Sequence, residues 1–98
     1  MTLQSLVIIL KLDKAIKKQR KNLDTIDSRI IRLLSRRIRI GKNIGKLKKS
    51  KGLKITDRAR ERDVIHHAKQ MTRDTGLDER FVEKLFKDII KYTKSKQK

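Results

Sequence analysis

The sequence has no cysteine and no proline, and it has only four glycines and three aromatic residues among its 98 residues. Without cysteine the chain has neither a disulfide nor a thiolate metal site, the usual stabilising devices of small domains. A domain of this size buries only about 60–65% of its unfolded surface, so we expect association with a second chain to add stability. Acidic residues are also scarce, with 11 Asp and Glu against 29 Lys and Arg and a net charge of +18. This imbalance predicts an anionic substrate or partner.

The N-terminus contains one apolar run, LVIIL, from Leu6 to Leu10. No basic residue precedes the run, and it is shorter than the core of a signal peptide and far shorter than a membrane span. We therefore predict a soluble, cytoplasmic chain that does not cross a membrane. Residues 1–11 are interpreted as an N-terminal extension, either packed or frayed, and residues 12–98 as one helical domain.

The longest pattern in the sequence is an apolar stripe whose steps alternate between four and three residues. Its members are Leu12, Ile16, Gln19, Leu23, Ile26, Ile30, Leu33, Arg37, Ile40, Ile44 and Leu47. This spacing is typical of a coiled-coil seam and excludes strands. A helix over residues 12–49 would be about 57 Å long at 1.5 Å per residue, about twice the diameter of so small a domain. Such a helix needs a partner helix, most simply its own copy across a twofold axis.

The rest of the chain is predicted to form two short helices. Gly52 ends the long helix, and Thr56 or Asp57 caps the second, which Gly76 closes. Asp78 caps the third helix. The inward face of the second helix is predicted to be Asp57, Arg60, Glu61, Val64, Ile65, Ala68 and Met71. That of the third is predicted to be Phe81, Val82, Leu85, Phe86, Ile89, Ile90, Thr93 and Gln97. The fold class is therefore all-α, with one long and two short helices per chain.

Arg37 is a charged residue in an apolar stripe, where burial of a guanidinium is unfavourable unless an anion meets it. Alone, it is interpreted as a register-fixing seam residue or as half of an internal ion pair. Gly41, Gly45 and Lys48 follow on the same side of the helix. The two glycines favour either close helix packing or an open recess. In the second case Arg37 and Lys48, about 16 Å apart along the axis, would hold a small molecule with two anionic ends.

Both short helices also place polar residues on their inward faces. Asp57 and Glu61 suit the positive end of a helix, whereas Arg60 is unfavourable there and remains unexplained by capping. Thr93 and Gln97 extend the apolar stripe of the third helix by steps of three and four residues. These five residues are therefore further candidates for the recess.

Metal and covalent chemistry find no support in the sequence. His66 and His67 are adjacent, so their side chains point about 100° apart on a helix and are interpreted as solvated. No catalytic triad, phosphate-binding glycine loop or zinc spacing occurs. We predict no metal and no cofactor.

Four stretches of the chain together resemble a known family: QRKNLDTIDSRIIRLLSRR, IGKLK, TDRARERDV and GLDERFVEKLFKDII. They are similar to the all-helical chorismate mutases of the shikimate pathway, from Arg20 to Gln97 without a gap. The resemblance implies an intertwined homodimer whose active sites take residues from both chains. It also implies an isomerase that converts chorismate, a dianion, to prephenate by an intramolecular Claisen rearrangement, with no proton transfer and no nucleophile.

The resemblance further implies roles for the cations and for the side-chain amide of Gln97. Arg37, and Arg20 of the partner subunit, would bind the two carboxylates of chorismate. Lys48 and Gln97 would donate hydrogen bonds to the ether oxygen, on which charge develops as its bond to the ring breaks. Because Gln97 is a neutral donor, its hydrogen bond would not be lost as the pH rises.

The remaining implied roles concern the ring hydroxyl and the ends of the short helices. Glu61, with Asp57, would accept a hydrogen bond from the ring hydroxyl, and Arg60 would orient the acids and contact a carboxylate. Thr93 would add a hydroxyl contact. Lys94 departs from the family, which usually has a small apolar residue there.

Three alternatives remain beside the mutase. A basic helical nucleic-acid-binding protein fits the net charge, but stacking aromatics are nearly absent, so we expect only non-specific, salt-dependent binding of nucleic acid. An isochorismate pyruvate lyase would use the same fold, but the Asp57 and Glu61 pair favours the mutase. A purely structural coiled-coil dimer would leave the recess unexplained.

Overall fold

The computed structural model describes residues 2–98 and contains three helices. They are α1 (Leu3–Ser50), α2 (Arg58–Thr72) and α3 (Glu79–Gln97), and residues 2–98 include no strand. The prediction of an all-α chain with one long and two short helices is confirmed. Met1, the first residue of the predicted extension, lies outside the described residues.

Helix α1 begins at Leu3 instead of near Leu12, so the predicted extension is helical and its residues from Thr2 onward are exposed. The physical reason is that nothing interrupts the helix there, since the chain has no proline and no glycine before Gly41. The hydroxyl of Thr2 accepts a hydrogen bond from the backbone N–H of Ser5 at 3.1 Å and caps the first turn.

A glycine terminates helix α1, as predicted, since Gly52 lies two residues beyond the last helical residue, Ser50. Gly52 has a φ of +69°, a backbone conformation that residues with a Cβ rarely adopt. Its N–H donates to the carbonyl of Lys49 at 3.1 Å, and the N–H of Leu53 donates to that of Lys48 at 2.8 Å. These two bonds form a Schellman motif, which satisfies the last carbonyls and turns the chain toward α2.

The caps of the short helices confirm one alternative and correct one boundary. Asp57, not Thr56, caps α2 by accepting from the N–H of Arg60 at 3.0 Å, and Asp78 caps α3. Helix α2 ends at Thr72, before Gly76, because the backbone of Arg73 is already extended with a ψ of 141°. Gly76, with a φ of +79°, belongs to the turn that follows.

Helices α2 and α3 pack against each other in antiparallel orientation. Lys69 pairs with Glu83 at 3.4 Å and Arg73 with Glu79 at 4.0 Å, so residues later in α2 meet residues earlier in α3. The side chains buried between or beside them are small: Ala68, Thr72, Val82 and Thr93. Small buried residues let the two helices approach closely, but they form only a thin core.

Three apolar residues that were predicted to face inward are exposed in the single chain. Met71 is 65% exposed, Phe81 58% and Leu85 43%. They line an apolar groove of about 570 Å³ along α2 and α3. The helical periodicity places them correctly on the apolar face, but residues 2–98 supply no further element that covers this face.

The chain divides into two compact units, one being the part of α1 up to Arg36 and the other Arg37–Lys98. In residues 2–36 no residue is buried, and the stripe residues Leu23, Ile26 and Ile30 are each about half exposed. Within residues 2–98, none of the three helices combines the length and the hydropathy that a membrane crossing requires.

Candidate active site

The second unit contains a recess of about 280 Å³ formed by the last turns of α1, the start of α2 and the end of α3. Its polar lining comprises Arg37, Lys48, Asp57, Arg60, Glu61, Thr93, Lys94 and Gln97, and its apolar lining Ile40, Gly41, Ile44, Ile55, Val64 and Ile90. Seven of the eight residues predicted from the sequence are therefore brought together. The volume lies near the lower end of the range for small-ligand pockets, about 300–1,000 Å³.

Arg20 is the predicted site residue that does not line this recess. It lies in the part of α1 up to Arg36, is exposed, and lines a separate shallow cavity with Leu10, Asp13, Ile16 and Lys17 among others. The implied contribution of Arg20 to the site of a partner subunit stays a prediction.

Arg37 is a half-buried cation without a carboxylate partner. Its Nη1 donates to the hydroxyl of Thr93 at 3.4 Å, and its guanidinium lies 6.0 Å from the centre of the Phe86 ring. Burial, and then the positive charge of Arg60, lower the pKa of Arg37, although an arginine remains charged. Among residues 2–98 no carboxylate lies within 4.0 Å of it, so the internal ion pair considered above does not form within the described chain.

Lys48 and Gln97 each use one of their N–H groups to hold the recess together. Lys48 Nζ donates to the carbonyl of Ile55 at 3.1 Å, which ties the loop after α1 back to that helix. Gln97 Nε2 donates to the carbonyl of Gly41 at 2.7 Å. Because an ammonium has three N–H groups and an amide two, both side chains keep a donor for a ligand.

The two helical glycines serve close packing, and one of them also lines the recess. A Cβ added to Gly45 would lie 2.9 Å from Cβ and Cγ of Gln97, and one added to Gly41 would collide with the methyl group of Thr93. Of the two sequence-based interpretations, close packing therefore accounts for Gly45. Gly41 serves both, since it also lines the recess.

The acids at the start of α2 are already engaged in the single chain. Asp57 accepts the capping bond of α2 through Oδ1. Both oxygens of Glu61 accept from Lys94 Nζ, each at 3.3 Å. Arg60 is exposed, and within residues 2–98 it pairs with no carboxylate, so it stays available to an anion in the recess.

Thr93 is buried, and both functions of its hydroxyl are used. The hydroxyl donates to the carbonyl of Ile89 at 2.8 Å and accepts from Arg37. Its O–H is therefore committed to the helix, and its role in the single chain is to hold Arg37 in place.

The recess also includes residues beyond the predicted site residues. Ile40, Ile44, Val64 and Ile90 lie on predicted apolar stripes and so could have been found by helical spacing. Ile55, which supplies the carbonyl acceptor for Lys48, lies in a loop without any periodic signal. The engagement of Glu61 by Lys94 depends on how α2 and α3 pack, which spacing within one helix does not reveal.

The electrostatics of the recess favour a small anion. Its lining contains four cations against two acids, and one of the acids is paired with Lys94. Within the part of the chain that the structure describes, no three His, Asp or Glu side chains cluster in a way that could hold a metal ion. His66 and His67 are exposed, as predicted. A lining of cations and neutral N–H donors around a small recess has the chemistry that an organic anion requires.

Comparison with known proteins shows the family to which the chain belongs. The family profile described as chorismate mutase type II matches residues 19–98. A chorismate mutase of Methanocaldococcus jannaschii is 29% identical over 79 residues, which cover 81% of this chain and 80% of that protein. No solved structure matches the chain. The chain belongs to the chorismate mutase type II family, as its sequence motifs predicted.

Proposed function

We propose that the recess of the second unit is the active site in which this chorismate mutase, an isomerase, converts chorismate to prephenate. The observation that supports the site most directly is Arg37, a desolvated cation that lacks a carboxylate partner among residues 2–98. Burial of an unpaired charge is unfavourable, so an anionic substrate would relieve a cost that the free chain bears.

The chemistry asks little of the protein beyond binding and electrostatics. In the Claisen rearrangement one carbon–oxygen bond breaks while one carbon–carbon bond forms within the same molecule. Neither a nucleophile nor a cofactor is needed for this. Rate enhancement has to come from holding the compact, chair-like conformer and from stabilising the charge that develops on the ether oxygen.

The cations and the side-chain amide of Gln97 divide these two tasks. Arg37 and Arg60 are assigned to the carboxylates, since neither has an anionic partner among residues 2–98. Lys48 and Gln97 are assigned to the ether oxygen, because each keeps a free N–H group beside the recess. Donors already held by the fold need no reorganisation when the charge develops.

Glu61, with support from Asp57, is assigned to the ring hydroxyl. Glu61 is half-buried and lines the recess, and each of its oxygens has a lone pair beyond the one that faces Lys94. Asp57 and Thr93 contribute mainly by position, one through the cap of α2 and the other through its contact with Arg37.

We further propose an intertwined homodimer with active sites shared between chains. The half-exposed stripe of α1 and the apolar groove along α2 and α3 support this, because a monomeric soluble protein rarely leaves so much apolar surface uncovered. In such a dimer Arg20 of the partner subunit would complete the carboxylate-binding set. We assign the mutase domain to residues 12–98 and the activity to the cytoplasm.

The direct test is turnover of chorismate, followed by loss of its ultraviolet absorbance and by acid conversion of the product to phenylpyruvate. Wild-type protein should convert chorismate, and Lys48→Ala should lower kcat by about a hundredfold or more through loss of an oxyanion-type donor. Lys46→Ala, at an exposed position in the same basic run, is the matched control and should retain activity. Absence of wild-type turnover, or equal activity of all three proteins, would refute the site.

A further inference from the structure

Lys94 lies in the recess although the implied chemistry assigns it no role. It follows Thr93 in α3, its side chain is 31% exposed, and it forms the ion pair with Glu61 described above. We propose that Lys94 is a positioning residue for the mutase reaction, one that orients the Glu61 carboxylate and offsets its charge so that a dianion can bind beside it. This inference rests on the proposed function of the recess.

The geometry of the ion pair supports an orienting role. Lys94 Nζ lies 3.3 Å from both Oε1 and Oε2 of Glu61, so the ammonium sits symmetrically in front of the carboxylate. This arrangement restrains rotation of the carboxylate about its last torsion, which is otherwise soft. The Glu61 side chain is only 30% exposed, so the pair is less screened by water than a surface pair would be.

The charges around Glu61 explain why such a partner is needed. An ionised Glu61 would repel a substrate that itself bears two negative charges, and this repulsion is strong where water is partly excluded. Arg60 is the neighbouring residue in the chain, but within residues 2–98 Lys94 is the cation that reaches Glu61 to within 4.0 Å. Lys94 therefore provides the local compensation that lets Glu61 accept a hydrogen bond from a hydroxyl of the substrate.

The decisive alternative is that Lys94 acts on the substrate directly, as one more cation of the recess. The two roles separate in a double-mutant cycle with Glu61. If Lys94 acts through Glu61, removal of its charge should matter only while Glu61 is an acid. If Lys94 binds substrate, its removal should matter equally when Glu61 is replaced by the neutral Gln.

The experiment compares steady-state kinetics of wild type, Lys94→Met, Lys94→Arg, Glu61→Gln and the Lys94→Met/Glu61→Gln double variant with chorismate. Lys94→Met should raise KM about tenfold with a much smaller change in kcat, since the lost compensation acts on binding of the dianion. Lys94→Arg should restore KM to within about threefold of wild type, because a guanidinium can also pair with both carboxylate oxygens. In the Glu61→Gln background, Lys94→Met should change KM by less than about twofold.

A matched control removes the same charge from the same helix. Lys91 is exposed, lies one turn before Lys94 and lines a neighbouring cavity but not the recess. Lys91→Met should leave KM and kcat near wild type. Far-ultraviolet circular dichroism verifies the fold of each variant, and Lys94→Gln replaces Lys94→Met if the latter does not fold.

Three outcomes would overturn the positioning role. They are an unchanged KM in Lys94→Met, an equal loss in both Glu61 backgrounds, and a loss of the same size in Lys91→Met. Each of them leaves an active wild-type enzyme and so sinks only this inference. Absence of wild-type turnover would instead sink the proposed function, and this inference with it.

Discussion

The two units of the chain differ in what they can bury without a partner. The second unit, Arg37–Lys98, buries a small set of residues: Gly41, Gly45, Ala68, Thr72, Val82 and Thr93. The first unit, described from Thr2 to Arg36, contains most of the apolar stripe of α1 and buries none of it. A regular apolar pattern therefore predicts burial only where a second surface exists to receive it.

The two units also differ in how far their positive charges are exposed to water. Residues 2–36 carry cations on exposed positions, where water screens them. In the second unit, burial lowers the pKa of Arg37 and Arg60 adds to the effect. Arginine is therefore a solvated charge in the first unit, whereas Arg37 in the second unit is a half-buried charge that lies near another cation.

Breaking the stripe of the first unit should have the largest effect. Ile26→Asp with Ile30→Asp would place two carboxylates in the proposed seam and should abolish the dimer and nearly all activity, because buried unpaired charges are strongly unfavourable. Light scattering after gel filtration measures the mass, and chorismate loss the activity. Ser28→Asp adds a negative charge off the stripe and should remain dimeric. A dimeric, active double variant would contradict the seam.

Removing the unpaired cation of the second unit should have the next largest effect. Arg37→Ala should lower kcat/KM by about 10²- to 10³-fold, since a desolvated charge that meets a substrate carboxylate is worth about 2–5 kcal/mol. Arg36→Ala, at the adjacent exposed position, should stay within about threefold of wild type. Comparable losses in the two variants would mean that net charge, and not the recess, determines activity.

Adding a methyl group at the contact between Gly45 of α1 and Gln97 of α3 should affect activity less than loss of Arg37. Gly45→Ala would push a methyl group against Gln97 and should destabilise the protein by about 1–3 kcal/mol, while lowering kcat because Gln97 is displaced. Gly52→Ala strains a left-handed residue in open space and should destabilise by about 1–2 kcal/mol without a change in kcat. Chemical denaturation and steady-state kinetics measure both quantities. Equal kcat values in the two variants would show that the contact of Gly45 with Gln97 has no catalytic role.

The smallest effect is expected from the ion pairs between α2 and α3. Desolvation raises the pKa of Glu83, but the hydrogen bond and charge of Lys69 and the charge of Lys87 outweigh it, so the pKa is lowered overall. A lowered folded-state pKa stabilises the protein above the pKa of the unfolded chain, and this contribution is lost as the pH falls through the folded-state value. The melting temperature of Glu83→Gln should therefore lie slightly below that of wild type at pH 7 and converge with it in acid. A difference that does not shrink as the pH falls would contradict this origin.

Most of the helical architecture could be predicted from the sequence. The stripe from Leu12 to Leu47 and the caps Asp57 and Asp78 are local signals, and the structure has helices and caps at these places. The predicted start of α1 near Leu12 is wrong, because an apolar stripe can begin several residues after the helix that carries it. A helix continues until something stops it, and the residues before Leu12 contain neither proline nor glycine.

The candidate site was predictable to a different degree at different residues. Arg37, Arg60 and Gln97 stood out because each is polar on an apolar face, and all three line the recess. Ile55 has no periodic signature, since it is a backbone acceptor in a loop, and Lys94 is predicted only as a departure from the family, with no role assigned to it. Their roles depend on distances between elements.

The helices, their caps, the excess of positive charge and the family can all be predicted from the order of the residues. They follow from neighbours along the chain and from residue types, which act over a few residues. Three features emerge only from the packing of the helices: Arg37 lacks an acid among the described residues, Gly45 packs against Gln97, and Lys94 pairs with Glu61. Such contacts join residues that are distant in the chain, and their geometry is set by how closely α1, α2 and α3 pack within the second unit, which no local pattern records.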